Sequence, residues 1–244
     1  MSHHKNTFVT KRVIMNPEFW QEKWQNPQPG FHQAKPNQLL VSYFKSLSLA
    51  PASRVFVPLC GKSIDMLWLA EQGYDVIGSE LIDSAVQQFF SENNIEMSIT
   101  KHPKNESMNI YQGQYAGRLI QIFAGDIFEL SPADVGTIDA VYDRAALVAM
   151  PDKAPTHLRR QYVQQVIKLT QTAPQLLLNF ALNAPAMDEA TRLSRQQGGP
   201  PFVVSDDAIY GYYQEAYQVE FLGQDAFEPT DRLINQAWRL INQS

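Results

Sequence analysis

The sequence predicts an α/β domain built on a mostly parallel sheet with helices on both faces, and three observations predict it. Residues 54–80, RVFVPLCGKSIDMLWLAEQGYDVIGSE, read as strand, tight turn, helix and strand, the unit that joins parallel neighbours. The later strand-like runs Arg118–Phe123 and Ile138–Tyr142 are followed by acids, Asp126 and Asp143, much as the run from Asp75 ends in Glu80. A helical segment, Leu158–Thr170, then leads into the apolar strand Gln175–Leu182.

Within the first unit, Arg54–Val57 is β-branched and aromatic and stops at Pro58, which has no N–H for a ladder. Ser63 is the expected N-cap of the helix. Ile64, Leu67 and Trp68 recur at helical spacing, and Gly73 stands where a helix end needs positive φ. Asp75–Glu80 forms the second strand, and its terminal carboxylate lies about 20 residues beyond the glycine turn, the spacing of a ribose-binding acid. The turn's backbone and the helix N-terminus are expected to supply N–H donors to a ligand. A pyrophosphate loop needs three glycines, whereas Gly61 is joined by Pro58 and Leu59. A ligand with a ribose and no pyrophosphate fits better, S-adenosylmethionine being one. The same unit also occurs as plain architecture with no ligand.

This stretch resembles the thiopurine S-methyltransferase family, together with FWQEKW (19–24), GFHQ (30–33), AGDIFEL (124–130), YDRAALVAMP (142–151) and GGPPF (198–202), which follow in the family's order. The likeness runs from about Pro17 to Tyr162 and resumes at GGPPF. It implies a class I S-adenosylmethionine-dependent methyltransferase with a Rossmann-like, seven-stranded, mostly parallel sheet and an N-terminal helical lid. The product of the donor would be S-adenosyl-L-homocysteine.

Composition narrows the function class. The chain has 244 residues, 44% hydrophobic and 18% charged, which suits one domain spanning 1–244 with its own core. A net charge of −5, without Lys/Arg runs, argues against nucleic acid as a partner. Cys60 is the single cysteine, so neither an internal disulfide nor a cysteine-cluster metal site is expected. No apolar run reaches membrane-spanning length, and the polar start MSHHKNTFVTKR lacks the apolar core of a secretory signal. A cytoplasmic monomer acting on a small molecule is the expectation.

In chain order, residues 1–15 read as a flexible arm and 16–50 as the lid and N-terminal helices. Asn16, Pro17 and Glu18 form a helix start, and Trp20 and Trp24, four apart, share one face. That helix is either pinned to the core or a lid. The resemblance implies the lid, with Trp20 at the donor and Phe31 at the acceptor side; His32 would stand at the same mouth. Residues 36–49 form a core-packing helix. Asp83 is expected to cap a helix holding Ala85, Val86, Phe89 and Phe90. Residues 95–123 read as short strands, with turns at Gly113 and Gly117.

Asp126 sits at the same sheet edge as Glu80 and serves either to cap the following turn or to reach an adenine amino group. The resemblance places Asp126 and Ile127 in the adenine pocket. Asp143 and Arg144 read either as a satisfied ion pair or as a functional pair at the active edge, the second being favoured, and the resemblance assigns Arg144 to the donor's methionyl carboxylate or an anionic acceptor. It also gives Glu80 to the ribose and Leu59 to the donor's amino-acid or ribose part. Residues 183–199 depart from the family: a longer, polar segment with room for an extra helical turn replaces a short acidic loop bearing a tyrosine. Ser205–Ala216 should be helical, with Tyr217–Gly223 and Ala237–Ile241 as closing strands. Asp225–Glu228 resembles the family's ending, and Arg232 is a distant candidate for the arginine that follows there.

The reaction so implied is methyl transfer from S-adenosylmethionine to the sulfur or selenium of a small aromatic or heterocyclic thiol or selenol. No residue is assigned as acid or base, and Cys60 has no nearby base to make it a nucleophile. The altered segment keeps a different acceptor open, such as a selenium or tellurium oxyanion or a small nitrogen or oxygen nucleophile. A non-catalytic S-adenosylmethionine-binding protein is the other alternative.

Overall fold

The computed structural model describes residues 17–25, 33–183, 187–225 and 233–243. In chain order the elements begin with α1 (Pro17–Gln25), α2 (Gln38–Tyr43), β1 (Arg54–Val57), α3 (Asp65–Glu71), β2 (Asp75–Glu80) and α4 (Asp83–Glu92). Next come β3 (Met97–His102), β4 (Asn105–Tyr115), β5 (Arg118–Ala124), α5 (Pro132–Val135), β6 (Ala140–Arg144), α6 (Leu158–Thr170) and β7 (Gln175–Leu182). The last are α7 (Glu189–Gln197), α8 (Asp206–Tyr213), β8 (Tyr217–Gln224) and β9 (Leu233–Asn242).

The sheet runs β3-β4-β5-β2-β1-β6-β7-β9-β8. Its five inner strands, β5 to β7, are parallel, and antiparallel strands close both edges. Among the described residues, nine mixed strands therefore replace the seven expected. Residues 97–115 form two strands that add to one edge. Gly113 does not turn the chain there: it lies inside β4, paired with Met97 and Ile120. A Cβ at this position would come within 2.7 Å of the Glu96 carbonyl and 2.9 Å of the Phe90 ring, so packing rather than a turn requires the glycine. The turn falls at Ala116 and Gly117, both with positive φ.

Strand alternation sends side chains into two apolar layers. Phe56, Ile77, Val141 and Leu177 face one layer with α6 and α8. Val55, Val76, Tyr142, Leu176 and Leu178 face the other with α2, α3 and α4. Phe89 and Phe90 of α4 are wholly buried there, contributing about 2–3 kcal/mol each from burial.

Several local expectations shift. Asp83 does not cap α4; its carboxylate accepts hydrogen bonds from Tyr111 Oη, Asn109 and Gln87. Ser63 lies two residues before α3, and its Oγ accepts from the Asp65 amide. The N-terminal helix of residues 36–49 is α2 followed by a 3₁₀ turn, Phe44–Leu47. β6 begins at Ala140 and β9 is longer than expected. Among the described residues no helix is long and apolar enough to cross a membrane.

Gly113→Ala should lower unfolding stability by about 1–3 kcal/mol, because the Glu96 carbonyl that a Cβ would strike is backbone and cannot rotate away. Urea denaturation measures it, and an unchanged midpoint would contradict the packing described.

Candidate functional site

The turn after β1 is strung on the end of β2. Cys60 N donates to Ser79 O at 2.9 Å, Leu59 N to Ser79 Oγ at 3.5 Å, and Gly61 N to Glu80 Oε2 at 2.9 Å. The amides of Leu59, Cys60 and Gly61 thus serve the protein itself rather than pointing at a ligand, which corrects the expectation for this turn. Leu59 holds a left-handed φ of 48°, a strain of order 1–3 kcal/mol that these bonds must sustain. Gly61 has a φ of 53°, and a Cβ there would lie 2.5 Å from the Trp24 ring. Helix α1 therefore rests on the turn through a contact that only glycine permits.

Glu80 is 6% exposed. Its Oε1 accepts the Ile82 amide at 2.9 Å, so the carboxylate bridges the turn and the start of α4. Burial pushes its pKa from the ordinary 4.5 up to about 7, outweighing the backbone hydrogen bonds that oppose the rise. Cys60 is buried beside it, and its thiol is pushed well up by desolvation and then by the Glu80 charge, a state unsuited to nucleophilic work.

On the other side of β1, Asp143 and Arg144 do not pair. Consecutive strand residues point to opposite faces. Asp143 turns toward α6, where Tyr162 Oη donates to it at 2.6 Å and Leu147 N at 3.3 Å. Burial raises its pKa to about 6. Arg144 turns the other way, and its Nη1 lies 3.5 Å from Asp65 Oδ2.

Glu80, the turn residues 59–61 and Arg144 border a cavity of about 370 Å³ at the carboxyl ends of β2, β1, β6 and β7, the crevice where open α/β sheets bind ligands. Glu80, Leu59, Gly61 and Lys62 form one end, and Tyr142 and Arg144 stand centrally. Lys62 is anchored to α4 through Gln88 and Glu92. Val148, Ala149, Phe180, Pro200 and Pro201 make an apolar wall. The 200–204 segment is laid onto that wall: Phe202 N donates to Val148 O at 2.7 Å and Val204 N to Phe180 O at 3.3 Å. Trp20, Lys23 and Trp24 of α1 line the remaining side.

Of the residues singled out by sequence, Trp20, Leu59, Glu80 and Arg144 meet around this cavity. Asp126 and Ile127 stand next door at the end of β5 and do not line it. Asp126 accepts from Phe128 N to cap the 3₁₀ turn Ile127–Glu129, and Ile127 is core-packed, its carbonyl accepting from Gln165. Phe31, His32 and Arg232 lie outside the described residues. The sequence reading missed Trp24, Lys23, Lys62 and Tyr142 as cavity residues. The four-residue spacing of Trp20 and Trp24 carried a signal for the first; the others depend on which way a strand or turn faces.

Residues 15–242 match the family model described as Thiopurine S-methyltransferase (TPMT). A thiopurine S-methyltransferase of Psychrobacter cryohalolentis is 50% identical over 208 residues, 85% of this chain and 89% of that protein. One from Shewanella woodyi is 39% identical over 231 residues, 94% of this chain and 96% of the relative. Among solved structures, N-methyltransferase NodS from Bradyrhizobium japonicum with S-adenosyl-L-homocysteine superposes with a TM-score of 0.57 at 13% identity, covering 93% of this chain and 99% of that one. Magnesium protoporphyrin IX methyltransferase from Synechocystis, also with that product bound, gives 0.56 at 12% identity, covering 93% and 96%. At these identities the two structures show a common fold.

The raised acids make stability pH-dependent. An acid whose folded pKa lies above its unfolded value stabilises most below the unfolded pKa, and that contribution is lost as pH rises through the folded one. For Glu80 the window is 4.5 to about 7, and for Asp143 3.8 to about 6. The free protein should therefore lose about 2–3 kcal/mol from Glu80 between pH 5 and 7.5. Urea unfolding of the parent and of Glu80→Gln across this range checks it: the variant should show the shallower dependence, and equal slopes would contradict the burial of the charge.

Proposed function

The chain belongs to the thiopurine S-methyltransferase family, and from that premise we propose that it moves a methyl group from S-adenosylmethionine to the sulfur or selenium of a small aromatic or heterocyclic thiol or selenol. The observation that carries the reading is the Glu80 carboxylate at the cavity wall. Each of its oxygens takes one backbone amide. Since each has a second lone-pair site, the pair fits the two hydroxyls of a ribose.

S-adenosylmethionine supplies a methyl group already activated on a sulfonium. The chain's own task is to bind, align and dry the reactants. Leu59 stands beside Glu80 for the amino-acid or ribose portion, and Asp126 and Ile127 at the end of β5 mark the adenine side. Arg144 offers a cation for a carboxylate on donor or acceptor. Trp20 of α1 closes the mouth, and the family resemblance gives Phe31 to the acceptor side, while the wall of Val148, Phe180, Pro200 and Pro201 presents an apolar face to a flat acceptor. No side chain is required to remove a proton, because an aromatic thiol is substantially ionised near neutral pH. The same reading takes the chain as one domain, monomeric and cytoplasmic.

The segment set apart by its sequence holds α7, capped by Asp188, whose Oδ1 accepts from Thr191 N. Its position just before Pro200 and Pro201 makes it the element that would tune the acceptor. Labelled methyl transfer should be assayed with aromatic thiols, aliphatic thiols, selenite and tellurite, with donor binding measured alongside. Turnover is expected on the aromatic thiols. Turnover confined to the oxyanions, or tight donor binding with no turnover on any acceptor, would overturn the proposal.

A further inference from the structure

Asp65 has no place in the machinery proposed above, yet it is 1% exposed and holds three segments together. Its Oδ1 accepts the Asn37 amide at 2.8 Å, at the base of α2. Its Oδ2 accepts the Tyr142 hydroxyl at 2.9 Å and faces Arg144 Nη1 at 3.5 Å. Tyr142 and Arg144 both line the cavity, and Asp65 sits behind them on the first turn of α3. Asp143 cannot do this work, because it points to the opposite face of β6 and is engaged by Tyr162.

We infer that Asp65 is a positioning residue that fixes the Arg144 guanidinium at the cavity wall. A buried carboxylate is costly unless paired and hydrogen-bonded. Here two directed hydrogen bonds, from Asn37 N and Tyr142 Oη, fix the carboxylate itself. The 3.5 Å approach of Arg144 is longer than a good N–H···O bond. Charge attraction is therefore what Asp65 adds, and it sets where the planar fork of Arg144 points. Without it, the guanidinium would be less firmly directed and recognise a carboxylate or thiolate less well.

The inference rests on the role proposed for Arg144, and the experiment separates the two. Asp65→Asn keeps the size of the side chain and an oxygen for the Asn37 amide while removing the charge. KM and kcat with thiophenol, and donor affinity, would be measured for Asp65→Asn, Arg144→Ala and the double variant. Asp65→Asn should raise KM, or weaken donor binding, roughly tenfold, by no more than Arg144→Ala does, and should change nothing further in the Arg144→Ala background. Effects that multiply independently, or a loss of thermal stability with both affinities intact, would overturn the positioning role. An Arg144→Ala enzyme with unchanged KM and donor affinity would instead overturn the reading of Arg144. Should Asp65→Asn not fold, Tyr142→Phe removes a hydrogen bond that fixes Oδ2. It should shift the same affinity in the same direction by a smaller factor, with the shift absent in the Arg144→Ala background; a shift that persists there would count against the inference.

Discussion

A buried carboxylate shared between two backbone amides is the constraint on which the site depends. Glu80 joins the Gly61 amide to the Ile82 amide, so one side chain fixes both the turn that leaves β1 and the entry to α4. The left-handed Leu59 and the side-chain-free Gly61 follow from how tightly that turn is drawn onto β2. The seating of Trp24 follows from Gly61. Because desolvation outweighs the backbone hydrogen bonds at Glu80, the carboxylate is an acceptor held under electrostatic stress, which further hydrogen-bond donors from a ligand would relieve.

A second constraint is strand alternation at the end of β6. Asp143 and Arg144 are neighbours in sequence but occupy different layers of the protein, one bonded to α6 and the other directed toward α3. The cavity is thereby assembled from both sides of the sheet. Asp143 braces the 145–149 segment that carries the apolar wall, while Arg144 presents its charge beside Tyr142. Splitting the two residues lets a cation face the cavity without being neutralised by the acid beside it in the chain.

Elements driven by local pattern were legible: β2 from Asp75 to Glu80, α6 from Leu158 to Thr170 and β7 from Gln175 to Leu182 fall where apolar periodicity and turn residues place them. The place of Glu80 at the strand end beside the cavity was legible because its distance from the glycine turn is itself a local quantity. Long-range partnerships were not. Asp65 meets Tyr142 across 77 residues, and no spacing rule connects them. Asp83 looked like a helix cap by position, but Tyr111 and Asn109 reach it from a strand far along the chain. Gly113 resembled a turn signal because a sequence does not display the carbonyl and rings that crowd it. The orientation of the turn amides was hidden for the same reason, since it depends on the β1–β2 pairing.

The Glu80 carboxylate, held by Gly61 and Ile82, is proposed to receive the donor's ribose. A crystal structure of the protein with S-adenosyl-L-homocysteine tests it most directly. Both ribose hydroxyls should lie about 2.6–3.0 Å from the Glu80 oxygens, with the Gly61 and Ile82 bonds retained. A ribose bound elsewhere, or a Glu80 side chain with no contact to the ligand, would contradict it.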